Sequence, residues 1–491
     1  MELQPYLHTI ARNFDATSVF VVFLVIVLAH LVPYLSDPAG LRAYPGPTLA
    51  KLSRAWLAWI AYHGRISTSV HEAHQKYGTF VRISPVEVSI AHPEALQQIY
   101  GHNTGTTKSD MYDAFTQFGG IPSVFAARDR VEHARKRKIM SHRFNYLAFD
   151  VIGDLAFGSP FGMLVAARDS TQIATSQKAA MESYGVEDAK LEYVTISAVD
   201  AVNVASSIVV FLGVLPPWIR PIMARFFATK MRATGELASM VVTAVAKRLV
   251  SSVSRQDLLS KLLEGRDEQD TALSKNELSA ESLTLLVAGS DTTANSTGAI
   301  TYFLAQNPNI QAKLQEVLDQ VLGPPGGDSE NGDVASYNEI KNIEYLQDVI
   351  NEGLRLHSTV GVGLPRVVPE SGMTVLGKTF APGTVVSCPL YTLHRLPSVW
   401  GNDAEVFNPD RWSKGDRATM LKAFAPFSVG PRACLGRNLA SMELFVYIAT
   451  IFHRYSFVLR TPDQELGVDD GFVRKPLGVY VGVKRREFRM T

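Results

Sequence analysis

A single ten-residue stretch leaves this chain fewer choices than any other: Phe427-Ser428-Val429-Gly430-Pro431-Arg432-Ala433-Cys434-Leu435-Gly436. Two glycines and a proline shape the backbone around the thiol, and an arginine lies two residues before it. Leu435, Leu439, Met442, Val446 and Ala449 follow at helical spacing. Cys434 therefore sits at the mouth of a helix, where unpaired N–H groups and a partial positive charge favour the thiolate. The only other cysteine in 491 residues is Cys388, far away in sequence. That rules out a disulfide framework and fits a reducing compartment. A lone thiolate does not make a zinc site. It is either a buried structural residue or one axial ligand of a haem iron.

Charge excludes one class of partner. With 48 basic and 47 acidic side chains the net charge is +1, so no nucleic-acid partner is expected. Hydrophobic residues make up 46% of the chain, enough to bury a large core.

The chain divides at its start. Residues 1–17 form a mixed tail, and 18–35 are almost unbroken apolar sequence, interrupted by His30 and Pro33. The length is close to the ~20 residues that cross a bilayer as a helix. A cleaved signal peptide is the rival, but no small-x-small cleavage site follows. An N-terminal anchor is expected, with Arg42, Lys51 and Arg54 after it leaning towards a cytosolic body. Residues 36–47 carry Tyr44-Pro45-Gly46-Pro47, a stiff linker. Residues 48–491 read as one body, mainly α with small β-sheets. Helices are predicted over 67–77, from Pro93, over 281–306 and from 343 to 357. Two strands around Pro85 should form a hairpin, and short strands are expected at 373–375 and 385–388. The stretch 255–280 reads as a charged surface link.

Three further clusters carry chemistry. In Glu132-His133-Ala134-Arg135-Lys136-Arg137-Lys138, His133 and Arg137 share a helix face, although a solvated basic helix would look the same. In the middle of the long apolar helix lies Ala288-Gly289-Ser290-Asp291-Thr292-Thr293, a poor choice for a central helical turn and so a mark of function. Thr292 either bonds back to a carbonyl one turn earlier or loosens the helix towards a ligand. Glu352-Gly353-Leu354-Arg355 pairs an acid and a base at i,i+3, which on its own describes a surface ion pair.

Phe427, Gly430, Arg432, Cys434 and Gly436 match all five marked positions of Phe-x-x-Gly-x-Arg-x-Cys-x-Gly, and the chain resembles the cytochromes P450, the haem-thiolate monooxygenases. The resemblance implies the cytochrome P450 fold with an N-terminal transmembrane helix and a haem b whose iron is ligated by Cys434. Phe427 and Gly436 would flank that haem. His133, Arg137, Arg366 and Arg432 would hold its propionates, a role suited to the bidentate guanidinium. Thr292 would bond the oxygen at iron, with Asp291 relaying protons through an oxygen-binding kink. Glu352, Arg355 and the Arg411 of Phe407-Asn408-Pro409-Asp410-Arg411-Trp412 would form a buried structural lock. Residues 175–250 would form a lid over the substrate channel. Implied partners are dioxygen, an NADPH–cytochrome P450 reductase, which the remaining basic residues near 135–138 could meet, and the endoplasmic reticulum membrane in a single pass with a cytosolic body.

Further wording resembles the fungal benzoate 4-monooxygenase group: residues 149–158, Gly363-Leu364-Pro365-Arg366, Tyr391-Thr392-Leu393-His394-Arg395, residues 424–443 and Gly471-Phe472-Val473-Arg474-Lys475-Pro476-Leu477. Benzoate para-hydroxylation is then expected, with oxidation of a polyketide or other secondary metabolite as the alternative. The chain departs from its family near 144–149, where a helix and its connections are missing. A catalytically inert product is the third reading. Substrate-pocket candidates are residues 112–125, 285–292, 360–364 and Phe472.

Overall fold

The computed structural model describes residues 16–116, 120–133, 135–136, 157, 171–187, 189–251, 257–266, 270–325, 334–461 and 463–486. Arg137, the junction at 144–149 and nearly all of 149–158 lie outside the described residues.

Helix α1, Ala16–Ser36, runs 21 residues with Pro33 inside it, and Phe20, Phe23, Val25 and Val32 are exposed. Among the described residues no helix is long and apolar enough to cross a membrane. The side chains of Ala16, Ser18, Val19 and Val22 lie outside the described set. The transmembrane helix expected over 18–35 is thus not shown as a span.

After the linker come α2 (Ile66–Tyr77), β1 (Phe80–Ser84), β2 (Glu87–Ile90), α3 (Pro93–Tyr100) and β3 (Thr107–Lys108). The hairpin turns at Pro85 as the sequence requires, and β1 pairs antiparallel with β2. His92 caps α3, accepting from the Glu94 N–H, with Pro93 in the first turn where its missing donor costs nothing. A five-stranded sheet in the order β1-β2-β9-β6-β3 adds β6 (Arg366–Val367) and β9 (Val385–Ser387). Its register sets Lys108 opposite Arg366.

The helical part holds α4 (Ala198–Val214), α5 (Ala228–Val250), α6 (Lys275–Gln306), α7 (Pro308–Leu322), α8 (Glu344–His357) and α9 (Arg437–Arg454). Helix α6 starts six residues before the expected 281. Ser274 Oγ accepts from the Glu277 N–H and Glu277 Oε2 accepts from the Ser274 N–H, a capping box hidden in a charged run. The long helix is the spine of the molecule. Its first half packs with α4 and α5 around Leu237, Val241 and Leu278, and its second half with α7, α8 and α9 around Ile300, Leu304 and Ile448. Two elements were not legible in the sequence: β4 (Thr171–Ala174), pairing with β5 (Tyr193–Ile196) inside the expected helical lid, and helix Leu258–Glu264 inside the expected link. Near the C-terminus, β10 (Tyr455–Leu459) pairs with β13 (Val481–Arg485), and β11 (Gly467–Asp470) forms a hairpin with β12 (Arg474–Leu477).

Candidate active site

Backbone geometry presents the thiol. Gly430 has φ +73°, and a Cβ there would fall 1.9 Å from the Tyr100 carbonyl oxygen, so only glycine fits. The Cys434 N–H donates to the Phe427 carbonyl at 2.8 Å and closes the loop just before α9. Gly436 has φ −83°, and the space where its Cβ would sit is open. Cys434 is exposed, whereas Cys388 is fully buried, its Sγ donating to the Ile90 carbonyl at 3.1 Å. Burial drives the Cys388 thiol far above its ordinary pKa, which marks it as a packing residue.

Beside the loop, cations gather. Arg366 is buried and donates from Nη1 to Tyr112 Oη at 3.1 Å, while Arg432 donates from Nη1 to the Ala127 carbonyl at 2.8 Å. The Arg432 guanidinium is pushed down to about 10, first by burial and then by repulsion from Arg366 and Arg130. Such crowding of positive charge calls for an anion. His133 is buried in the same region, its N–H donating to the Asp129 carbonyl at 3.2 Å. An apolar wall completes the setting: Leu435 and Leu439 from the thiol side pack on the same core as Leu285 and Val287 of α6. An exposed thiol, paired arginines and an apolar wall fit a haem with its propionates.

On α6 the helical turn that carries Asp291 and Thr292 is not interrupted. The helix is continuous through 288–293, and Thr292 Oγ1 donates back to the Ala288 carbonyl at 2.6 Å. The intrahelical alternative is the one adopted, because a threonine hydroxyl reaches the i−4 oxygen without breaking the ladder. Ala288 and Ser290 are nonetheless exposed, though Leu286 and Thr293 beside them are buried. Asp291 Oδ1 accepts from Asn295 Nδ2 at 3.0 Å, and its Oδ2 lies 3.2 Å from Lys475 Nζ. Thr293 Oγ1 donates to Glu443 Oε2 at 3.1 Å and so ties α6 to α9 one residue beyond Thr292. Burial pushes the Glu443 carboxyl up to about 7, with the Thr293 hydroxyl pulling it down.

Glu352 and Arg355 form no surface pair; both are completely buried. Arg355 Nε and Nη2 donate to the two Glu352 oxygens at 2.9 and 2.8 Å, and Arg411 Nε donates to Oε1 at 2.9 Å. Trp412 Nε1 and the Asn408 N–H add two donors to the same carboxylate, and Asp403 balances the second arginine. The structure therefore joins all three lock residues. His394 is buried beneath them, bonded to Ser358 Oγ at 2.8 Å and accepting from the Ala425 N–H.

Of the basic run, Arg135 and Lys136 are turned inward, and Arg137 and Lys138 lie outside the described residues. Lys136 is buried among Glu132, Glu277 and Glu281, and Arg135 is paired with Glu277. These two cations are paired inside the protein. Of the pocket candidates, Phe115, Phe125 and Phe472 come together edge to face with ring centres 5.2 to 5.5 Å apart, and Tyr112 is tilted against Phe115 and Phe125 at 6.4 and 5.6 Å. Sequence reasoning missed Glu443 and Lys475 as site residues. Glu443 has helical spacing with Leu439 as a signal; Lys475 has none, since it comes from a distant hairpin.

A family model described as cytochrome P450 matches residues 129–483. Benzoate 4-monooxygenase bphA of Aspergillus niger is 39% identical, the match covering 94% of this chain and 96% of that protein. Tryprostatin B 6-hydroxylase of Aspergillus fumigatus is 29% identical over 92% of this chain and 81% of its own. Cytochrome P450 monooxygenase atr2 of Stereocaulon alpinum is 27% identical over 91% of each.

Proposed function

The chain belongs to the cytochrome P450 family, and on that premise we propose that it hydroxylates an aromatic acid, benzoate at the para carbon, using NADPH electrons passed through a separate reductase. The monooxygenase class follows from the family; the substrate rests on one observation, the 39% identity to benzoate 4-monooxygenase along nearly the whole of both chains. Haem b, when bound, supplies the binding and activation of dioxygen. Cys434 Sγ would hold its iron and would supply electron density to it. Arg366, Arg432 and His133, with Arg137, would hold and neutralise its propionates. Thr292 Oγ1 holds a proton on the oxygen side and Asp291 resupplies it, general acid chemistry with both groups on one helical turn. The apolar wall around Leu285 and Leu435 keeps bulk water out. Incubation with benzoate, NADPH and a fungal reductase should yield 4-hydroxybenzoate; no product from a protein with a thiolate-type carbon monoxide spectrum would refute the substrate. Oxidation of a secondary metabolite is the second reading, favoured by the names of relatives such as tryprostatin B 6-hydroxylase.

Two further points belong to the same reading. Helix α1 is an anchor in the endoplasmic reticulum membrane, with residues 36–47 as linker and 48–491 as the cytosolic catalytic domain; its exposed apolar side chains support this. Alkaline carbonate extraction should leave the protein in the pellet. The chain also carries an internal deletion near 144–149. Support comes from the benzoate 4-monooxygenase match, which spans 518 positions against 94% of a 491-residue chain and so leaves residues of the relative without counterpart. Resequencing the transcript across residues 143–150 tests whether that deletion is real. The carbon monoxide spectrum of the purified protein tests the inert alternative.

A further inference from the structure

An aromatic acid needs a cation where its carboxylate comes to rest, because burying an unpaired carboxylate costs several kcal/mol. Most buried cations near the site are already committed. Lys108 Nζ is capped by the Phe125 carbonyl and lies over the Tyr112 and Phe125 rings. Arg474 pairs with Asp470 at 2.9 Å and donates to the His357 carbonyl. Arg366 and Arg432 belong to the cluster beside the thiol.

Lys475 is paired as well, but its partner Asp291 lies in the 285–292 stretch of pocket candidates. Lys475 lies on β12, three residues after Phe472, whose ring meets Phe115 and Phe125 at 5.4 and 5.5 Å. The lysine is buried, and its ammonium bridges two elements that flank the substrate region. Nζ donates to Asn203 Oδ1 on α4 at 2.6 Å and lies 3.2 Å from Asp291 Oδ2 on α6. Asp469 is its cross-strand neighbour, yet Asp291 holds the one carboxylate within 4 Å of Nζ among the described residues. An ammonium has three donors; one is used on Asn203, and the Asp291 contact is an ion pair that leaves Oδ2 without a hydrogen bond.

We propose that Lys475 is the residue by which this protein selects a carboxylate in its substrate: the ammonium set between Asn203 and Asp291 takes the acid group while the aromatic cluster led by Phe472 takes the ring. This rests on the aromatic-acid reading above and names the group that reading leaves unassigned. Lys475 is a specificity-determining residue here, and its hydrogen bond to α4 makes acid recognition depend on the seating of that helix.

Dissociation constants of the haem-loaded full chain, measured by calorimetry and by the haem difference spectrum, test the idea. Benzoate and its neutral counterpart benzamide are titrated into the wild type, Lys475→Met and Lys475→Arg. Lys475→Met should weaken benzoate at least tenfold and leave benzamide within about threefold; Lys475→Arg should recover most of the benzoate affinity. The double variant Lys475→Met/Asp291→Asn removes both charges, so it controls for an Asp291 left buried and unpaired, and it should show the same selective loss. Parallel weakening of acid and amide, or benzoate affinity unchanged in both methionine variants, overturns the assignment. Phenylacetate and phenylacetamide separate this inference from the substrate reading. A wild type that ignores benzoate but prefers phenylacetate to its amide, with the preference lost in Lys475→Met, defeats benzoate and keeps Lys475. A wild type that binds acids no better than amides defeats Lys475.

Discussion

Replacing Glu352 by glutamine tests whether the buried carboxylate holds the loop-bearing half of the molecule together. The substitution keeps size and shape but removes the charge and turns one acceptor into a donor. Five donors converge on that carboxylate: Arg355 Nε and Nη2, Arg411 Nε, Trp412 Nε1 and the Asn408 N–H. Arg355 keeps the His394 and Ala404 carbonyls, and Arg411 keeps Asp403 and the Trp400 carbonyl, so neither guanidinium is stranded completely. Removing one partner of a buried ion pair costs about 3–5 kcal/mol, and the retained contacts place Glu352→Gln at about 3–4 kcal/mol. That is a large part of a typical ~5–15 kcal/mol stability. With a urea slope of ~3 kcal/mol/M, the unfolding midpoint should fall by about 1 M. The assay is urea titration of the haem-loaded protein, followed by the Soret band and by tryptophan fluorescence. Arg65 and Glu72 provide an internal comparison: their 3.3 Å pair is about three-fifths exposed on both sides, and Glu72→Gln should shift stability by less than ~1 kcal/mol. A Glu352→Gln midpoint within about 0.2 M of wild type would refute the reasoning.

Other outcomes follow from the same geometry. A thiol reagent should modify Cys434 but not the buried Cys388 in folded, haem-free protein, and haem loading should abolish the labelling, as read by intact mass. Thr292→Ala loses only the back-bond to Ala288, so its stability should change by less than ~1 kcal/mol, while product formed per NADPH consumed should fall several-fold. Glu443 has a folded-state pKa near 7, above its ordinary carboxylate value, so the native state holds its proton longer than the unfolded chain does. Its contribution to stability is therefore lost as pH rises from about 4.5 to about 7 and is level above that. Denaturation at a series of pH values should show Glu443→Gln gaining on the wild type across that window and no further beyond it. His394, held down to about 3 by burial and by Arg355, acts in the opposite sense. It costs stability as pH falls below about 6.5, and His394→Gln should flatten that acid limb.

Where a feature depends on neighbours in sequence, it was readable in advance. The β1–β2 hairpin turns at Pro85 and α3 starts at Pro93, because proline fixes φ and lacks a donor whatever surrounds it. The left-handed Gly430 and the loop around Cys434 come from a short string of residues, as does the i,i+3 pairing of Glu352 with Arg355. Burial and long-range pairing were decided elsewhere. A run of basic residues reads as a solvated face, yet Lys136 is buried because Glu277 and Glu281 on α6 meet it there. Thr293 finds Glu443 150 positions away, and Lys475 finds Asp291 only because a C-terminal hairpin folds against the central helix. Charge and hydroxyl patterns in a sequence give the demand for a partner, but a chain can meet that demand from water, from its own helix or from a distant strand. Which of these it uses depends on the packing of α4, α6, α9 and β12 against one another. The sequence alone therefore determined a thiolate loop and the reaction class it serves, whereas the tertiary structure alone decided which acid and which cation stand beside it.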